Sequence, residues 1–402
     1  MMGWEVKTLK EVAEQSSTVD PRKEPQEEFK YIDVSSVSNK SFSIEKYETV
    51  LGKNAPSRAR RLVREGDVLF ATIRPTLRRV AIVPAELDEQ VCSTGYFVFR
   101  PQEKLNNRFL YYYLQSDGFI KEMEALQAGA SYPAVNNTQV QNQTIPIPPI
   151  REQKRIVAIL DEAFADIDKA SALTERNLES ARELFESYLS EIFVRAERSA
   201  EKVTLDEASG GVLTGPFGSL LHKSDYIDSG VPLINPAHIT ATGIAPDNKK
   251  TVSQETKERL NSYVMSEGDI VIGRRGEMGR CATVTQKEDG FLCGTGSFFI
   301  KSSERIFSPY LVRFLRSNIG KSRLEKLAGG AVMPNLSNSQ LSKLKVPLPV
   351  FEEQRKIADK IDTLSENVER IFGVYRQKSL KLEELKKSLL QKAFTGELTK
   401  AA

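Results

Sequence analysis

Apolar residues recur at helical spacing in two long segments of the chain. From Ile156 they follow alternating steps of four and three residues, and a similar pattern starts again at Ile357. A 3.5-residue repeat sustained over several heptads is typical of helices that pack as a coiled coil. The pattern predicts one seam formed by both segments, with these residues in it: Ile156, Leu160, Ile167, Leu184, Ile357, Ile361, Leu364, Val368, Ile371 and Leu385.

The length of these helices predicts the direction in which they run. A helix of about 44 residues extends about 66 Å, whereas a compact domain of about 150 residues has a radius of gyration of about 15 Å. Parallel helices would require the second domain to carry the chain back along that whole length. We therefore expect antiparallel helices with one domain at either end, related by a pseudo-twofold axis. The alternative is that each helix packs only on its own domain.

Strand-rich sequence precedes each helical segment. Short β-branched and aromatic runs, bounded by Gly, Pro and charged residues, predict strands at 67–72, 80–83 and 96–99, and again at 269–273, 282–285 and 297–300. A helix is expected near 108–115 and near 309–316. The predicted fold class is α+β, with two similar α/β domains at 1–150 and 200–350 and long helices at 151–199 and 351–402.

The two halves of the chain repeat one another. A shift of about 201 residues aligns ordered motifs, which argues for a duplication. The aligned pairs include Glu65-Gly66-Asp67 with Glu267-Gly268-Asp269, Cys92-Ser93-Thr94-Gly95 with Cys293-Gly294-Thr295-Gly296, and Glu152-Gln153 with Glu353-Gln354.

Composition limits the class of protein. The chain has 402 residues, of which 40% are hydrophobic and 28% charged, as in globular proteins of several domains. No apolar run approaches the roughly 18 residues of a membrane helix, and the start of the chain has no apolar signal core. We expect a cytoplasmic protein without a membrane partner.

The residues that usually build catalytic centres are scarce. Three cysteines without metal-ligand spacing are expected to be buried thiols, and two histidines leave little for a triad or a zinc site. Gly320-Lys321-Ser322 lacks the first glycine of a phosphate-binding loop. Asp247, Glu255 and Lys257 loosely resemble a nuclease group, but they suit a surface loop equally well. We expect no catalytic residues, no metal and no cofactor in this chain.

Basic residues cluster in a turn between two predicted strands of each half. The net charge of +3 is too small to establish a nucleic-acid partner, so the clusters carry that argument. Arginine suits both phosphate and guanine through its planar fork of donors, although surface charge alone would also explain any single arginine. The candidates are Arg58, Arg60, Arg61, Arg74, Arg78 and Arg79 in the first half and Arg274, Arg275 and Arg280 in the second.

A second pair of loops could also face DNA. Residues 129–133 and 329–334 are equivalent glycine- and proline-containing segments, which could present Tyr132 and Met333. A purely structural turn is an equally good interpretation of both.

The chain resembles the specificity subunits of type I restriction-modification systems along its whole length. The segments that carry the resemblance are the proline-rich entries into the long helices, 145–153 and 346–354, the closing segment 389–398, the opening 4–9 and the run 215–219. One departure is Arg74-Pro75-Thr76, where the family's basic turn has a glycine.

The resemblance implies a DNA-reading function. Each domain would be a target-recognition domain for one half of an interrupted double-stranded DNA target, and the helices would set the gap and dock other subunits. The implied partners are two methylation subunits and motor-nuclease subunits, to which S-adenosylmethionine, ATP and Mg²⁺ would belong. The alternatives are a nuclease or adenine methyltransferase with built-in recognition domains, and a coiled-coil scaffold without a DNA role.

Overall fold

The computed structural model describes residues 4–129, 131–328 and 335–400. The chain divides into two compact units. Unit 1 comprises Met1–Thr174 and Arg376–Ala402, and unit 2 comprises Glu175–Tyr375. Within the described residues no helix is both long and apolar enough to cross a membrane.

The described residues of unit 1 form three small sheets. Its strands are β1 (Glu5–Thr8), β2 (Ala13–Gln15), β3 (Glu28–Ile32), β4 (Glu48–Leu51), β5 (Ala59–Leu62), β6 (Val68–Ala71), β7 (Val80–Ile82), β8 (Val91–Ser93), β9 (Tyr96–Pro101) and β10 (Thr144–Ile147). One antiparallel sheet has the order β2-β9-β6-β7, and a second has the order β4-β3-β8-β5, in which β3 and β8 are parallel. Strands β1 and β10 form an antiparallel pair.

Several helices of unit 1 begin at side chains that cap free backbone N–H groups. They are α1 (Leu9–Val12), α2 (Asn107–Gln115), α3 (Asp117–Leu126), α4 (Asn137–Gln141) and the first part of α5 (Ile150–Ser199). The Asn106 side chain accepts from the Phe109 N–H at 3.0 Å, and Asn136 and Gln139 form a reciprocal capping box. The core lies between sheet β2-β9-β6-β7 and these helices, and includes Phe70, Phe97 and Phe109.

Unit 2 repeats this arrangement with additional short strands. Its strands are β11 (Glu201–Thr204), β12 (Val212–Thr214), β13 (Tyr226–Ile227), β14 (Val231–Ile234), β15 (Ile239–Thr240), β16 (Gly243–Ile244), β17 (Thr251–Val252), β18 (Ile270–Gly273), β19 (Cys281–Thr283), β20 (Leu292–Cys293), β21 (Ser297–Ile300) and β22 (Lys345–Leu348). Its helices are α6 (Leu205–Ala208), α7 (Gln254–Arg259), α8 (Ser308–Arg316), α9 (Asn318–Ala328), α10 (Asn338–Ser342) and the first part of α11 (Phe351–Thr395). The sheet orders are β12-β21-β18-β19, β13-β17-β14-β20, β11-β22 and β15-β16.

The two long helices pack antiparallel inside each unit. In unit 1, Ile156 and Leu160 near the start of α5 share a core cluster with Leu390 and Ala393 near the end of α11. In unit 2, Phe193 near the end of α5 shares a cluster with Ala358 and Ile361 near the start of α11. The helices therefore contribute to the core of each unit as well as to one another, so the predicted antiparallel direction is confirmed.

Part of the predicted seam lies outside the packed faces. Ile156, Leu160, Ile167 and Ile361 are buried, and Ile357, Leu364 and Val368 are half-buried. In contrast, Leu184, Ile371 and Leu385 are 73%, 43% and 46% exposed. The residues that follow two of these, Phe185 and Phe372, are partly buried instead.

The reason is the pitch of the α-helix. A strict seven-residue repeat drifts by about 20° per heptad around a straight helix. Leu184 follows Ile156 by four heptads, so it lies about 80° away from that face. Phe185 comes one residue later and returns to within about 20° of it. The heptad repeat therefore placed Leu184 wrongly in the seam, because over this distance the buried positions of α5 follow 3.6 rather than 3.5 residues per turn.

A buried glutamine attaches the start of each long helix to its unit. Gln153 and Gln354 are both fully buried. The Gln153 amide accepts from the Asn106 N–H at 2.8 Å and donates to the Lys104 and Pro148 carbonyls at 2.9 and 2.8 Å. Gln354 makes the same three bonds with Phe307, Arg305 and Pro349, each at 2.8 Å.

Candidate nucleic-acid interface

The basic turn and the Tyr132 loop of unit 1 form one structural element. The turn connects β6 to β7, and the loop follows α3. The Arg74 N–H donates to the Pro133 carbonyl at 2.7 Å, and the Val135 N–H donates to the Thr72 carbonyl at 3.0 Å. We call this element, residues 72–79 with the described residues of 127–135, the unit 1 tip.

Unit 2 has an equivalent element. The Leu336 N–H donates to the Arg274 carbonyl at 2.9 Å, and Arg275 forms an antiparallel bridge with Asn335. We call residues 274–280 with 335–336 the unit 2 tip. The predicted contact residue Met333 lies outside the described residues.

The exposed arginines of the two tips, Arg74 and Arg275, are not at equivalent positions. The bridge Ile73–Ala134 in unit 1 corresponds to Arg275–Asn335 in unit 2. Arg74 therefore corresponds to Gly276, and both are left-handed, with φ of 50° and 78°. Arg74 adopts the conformation for which the second half uses glycine.

Arg74 and Tyr132 contact each other at the unit 1 tip. The guanidinium carbon lies 5.0 Å from the centroid of the Tyr132 ring, and Nη2 donates to the Ser131 carbonyl at 3.4 Å. The Tyr132 side chain is 72% exposed. A cation held on an exposed aromatic face can bind a phosphate or a base edge.

Three of the predicted DNA-contact residues, Arg78, Arg79 and Arg280, have partners inside their own unit. Arg78 pairs with Asp117 and donates to the Gln115 carbonyl at 3.1 Å. Arg79 donates to the Val34 carbonyl at 2.7 Å, and its counterpart Arg280 donates to the Pro236 carbonyl at 3.4 Å. Arg280 also pairs with Glu277 at 2.9 Å, and that hydrogen bond lowers the pKa of the Glu277 carboxyl.

Arg60 and Arg61 also have partners within unit 1. Arg60 pairs with Asp20. Desolvation raises the pKa of Asp20, but hydrogen bonds from Arg60 and the Arg22 N–H outweigh it and leave the pKa lowered. The Gln15 amide faces Arg61, and with its oxygen toward the guanidinium it accepts from both Nη atoms at 2.8 and 3.0 Å.

The remaining candidates are more available to a ligand. Arg58 and Arg275 are exposed, and among the described residues their guanidinium groups have no hydrogen-bond or ion-pair partner. Arg274 is half-buried, with its guanidinium carbon 5.5 Å from the Phe298 ring centroid and its Nε 3.4 Å from the Asn335 amide oxygen.

A third segment supports each tip, and sequence reasoning missed it. In unit 1 the Tyr96 hydroxyl donates to the Asp33 and Val34 carbonyls, both at 3.0 Å. A side chain at Gly95 would come within 2.4 Å of Val34. In unit 2, Gly294 and Gly296 approach Asn235 and Pro236 in the same way. In the sequence, this segment could have been found from the similarity of Ile32-Asp33 in the first half to Ile234-Asn235 in the second.

No group able to hold a metal ion occurs within residues 4–129, 131–328 and 335–400. Of the loosely nuclease-like residues, Asp247 accepts from the Lys249 N–H at 2.9 Å in an exposed turn. Glu255 is exposed in the first turn of α7. The three cysteines are buried.

Comparison with known proteins gives consistent matches. Residues 1–177 and 217–371 match the family described as type I restriction modification DNA specificity domain. In an alignment 419 residues long, the chain is 24% identical to the putative type I restriction enzyme MjaX specificity subunit of Methanocaldococcus jannaschii. The alignment covers 98% of this chain and 93% of that protein.

Solved structures share the fold over nearly the whole chain. One is a chain from a structure that describes complex assembly and conformational transition of the type I R-M system, with a TM-score of 0.85, 28% identity and 99% of both chains covered. Another is the HsdS subunit from Thermoanaerobacter tengcongensis, with a TM-score of 0.67, 28% identity, and 99% of this chain and 98% of that chain covered.

Proposed function

The chain belongs to the family of type I restriction modification DNA specificity domains, and we propose from this premise that each unit reads one half of an interrupted DNA target. It is a DNA specificity subunit, a non-catalytic component that assembles with other subunits of a restriction-modification system and with DNA. The half-site assignment, the residues in contact and the number of partners are the proposal.

The observation that carries the proposal is the tip of each unit. In both units the turn between a central strand and an edge strand of one sheet, β6–β7 or β18–β19, is hydrogen-bonded to the loop before α4 or α10, so it presents side chains from a fixed backbone. Exposed arginine or tyrosine side chains, Arg58, Arg74, Tyr132 and Arg275, lie on or beside these elements. Because the exposed arginines of the two tips, Arg74 and Arg275, are not equivalent in position, we expect the two half-sites to differ in sequence.

The long helices would set the gap between the half-sites and dock partner subunits. Two units with the same topology suit two copies of a methylation subunit, which would contribute S-adenosylmethionine and the adenine chemistry. Motor-nuclease subunits would contribute ATP hydrolysis and Mg²⁺-dependent cleavage.

The proposal is tested by reconstitution. The chain is co-expressed with the methylation subunit, and the complex is assayed for duplex binding across a salt series and for methyladenine at single-base resolution. We expect one interrupted target motif and binding that weakens steeply with salt, because phosphate contacts release counterions.

Two results would contradict the proposal. Cleavage or methylation by the purified chain alone, with Mg²⁺ or S-adenosylmethionine, would favour a nuclease or methyltransferase. No duplex binding even in the presence of the methylation subunit would favour a scaffold without a DNA role.

A further inference from the structure

We propose that Arg74, held by Tyr132, reads one guanine in the half-site bound by unit 1. This inference rests on the proposed function, and it separates a residue that reads sequence from residues that contact phosphate. Arginine alone does not make that distinction, since its donors suit both phosphate and guanine. The residues around Arg74 make this distinction possible.

The other arginines of the unit 1 cluster have different tasks or positions. Arg60, Arg61, Arg78 and Arg79 are held by partners inside the unit. Arg64 is exposed, but it lines a cleft together with Ile150 and Lys154 at the start of α5. Arg58 is exposed and its side chain has no partner among the described residues. Arg74 is the arginine of this cluster that is both exposed and oriented by neighbours at the tip.

The orientation of the Arg74 guanidinium suits a base edge. The guanidinium carbon lies over the Tyr132 ring, 5.0 Å from its centroid, and the Ser131 carbonyl accepts from Nη2 at 3.4 Å. Nε and Nη1 have no hydrogen-bond acceptor among the described residues, and the bond to Ser131 uses one of the two Nη2 hydrogens. The second Nη2 hydrogen and the N–H beside it, on Nε or Nη1, therefore remain as a parallel pair of donors for a ligand. Two such donors match O6 and N7 of guanine in the major groove, which is the commonest specific contact of arginine. A side chain already oriented loses less conformational entropy when it binds.

The backbone also indicates a function for the side chain. Arg74 has a left-handed conformation with φ of 50°, which is strained for a residue with a Cβ. Gly276 occupies the same position in unit 2 with φ of 78°. The fold therefore accepts glycine at this position, and folding alone does not explain an arginine there.

The test compares substitutions of two exposed arginines in the reconstituted complex. Arg74→Lys retains the charge but removes the fork of donors, and Arg58→Lys makes the same change at the control position. Methyladenine mapping gives the target motif. Binding to duplexes that carry each base pair in turn gives the discrimination at each position.

We expect Arg74→Lys to lose discrimination at one guanine position of one half-site, by about 5- to 150-fold, which is the range for one bidentate contact. The other half-site should be unchanged. Arg58→Lys should keep the motif and change affinity for all duplexes by a similar factor. Arg74→Gly should lose discrimination at the same base-pair position as Arg74→Lys. Its Tm should be no lower than that of the unsubstituted chain.

Several outcomes would overturn the inference. One is an unchanged motif with uniformly weaker binding in Arg74→Lys, as a phosphate contact would give. A second is a loss of discrimination at a position of the half-site that has no guanine. A third is that Arg58→Lys loses discrimination at the same position as Arg74→Lys. A complex of the unsubstituted chain that methylates no defined motif would contradict the proposed function itself, so the two failures are distinguishable.

Discussion

At the residue scale, a single buried amide connects each long helix to the unit that precedes it. Gln153 and Gln354 each bond one backbone N–H and two carbonyls that come from different segments of the chain. A residue without an amide would leave these groups unpaired and away from water. This explains in physical terms why the Glu-Gln pair occurs at the same place in both halves.

Replacing the amide is expected to be costly. Gln153→Leu or Gln354→Leu should lower stability by about 2–4 kcal/mol, because buried backbone groups lose their partners. For units of this size that corresponds to a fall in Tm of roughly 4–16 °C, measurable by scanning calorimetry.

The matched control is Gln391→Leu, at an exposed position of α11. Its effect should be within about 0.5 kcal/mol, as for most surface substitutions. Equal effects of the buried and exposed substitutions would show that the hydrogen bonds of Gln153 and Gln354 contribute little.

The cysteines give a second prediction at this scale. Burial raises the pKa of all three thiols, that of Cys281 to about 12. Since the thiolate is the reactive form, the native chain should react negligibly with a thiol reagent at neutral pH. The unfolded chain should react at all three cysteines and consume three equivalents of the reagent. A thiol that reacts in the native chain as fast as in the unfolded one would contradict the buried placement.

The sequence could indicate which residue types form the site, but not which arginines are available. One partner of each of Arg78, Arg79 and Arg280 is distant in sequence, since Asp117, Val34 and Pro236 are 39, 45 and 44 residues away, and three-dimensional packing brings them together. The contact between Arg74 and Tyr132 spans 58 residues. The sequence suggested both residues independently, and only the hydrogen-bonded tip relates them.

At the element scale, the two long helices were predictable from apolar periodicity because the pattern extends over many turns. Their packed face was harder to predict, because a difference of 0.1 residue per turn accumulates along a helix of 50 residues. Short strands were also partly missed. The parallel pair β3–β8 joins segments about 60 residues apart, and no local pattern specifies such a pairing.

Adjacent residues of α5 test the corrected helix face. Phe185→Ala should destabilise the isolated chain by about 1.5–3 kcal/mol, less than a fully buried phenylalanine because its ring is only partly buried. Leu184→Ala should change stability by no more than about 0.5 kcal/mol, because Leu184 is 73% exposed. Thermal unfolding of the two variants measures the difference, and the reverse order would restore the heptad seam.

At the scale of the whole molecule, the internal repeat was the most informative feature of the sequence. It predicted two units with corresponding strands, and the sheets β2-β9-β6-β7 and β12-β21-β18-β19 have the same order. The tips of the two units carry different side chains, since Arg74 corresponds to Gly276. A constant scaffold with different tips is what a reader of two unlike half-sites requires.

We propose that the long helices set the gap between the half-sites, and altering their length tests this most directly. Seven residues are inserted after Asn177 in α5 and after Lys378 in α11, both exposed positions, and the target of the reconstituted complex is mapped by methyladenine sequencing. Each insertion adds about 10 Å of helix, so we expect the same two half-sites with a gap longer by about three base pairs. The same half-sites with an unchanged gap would contradict the account.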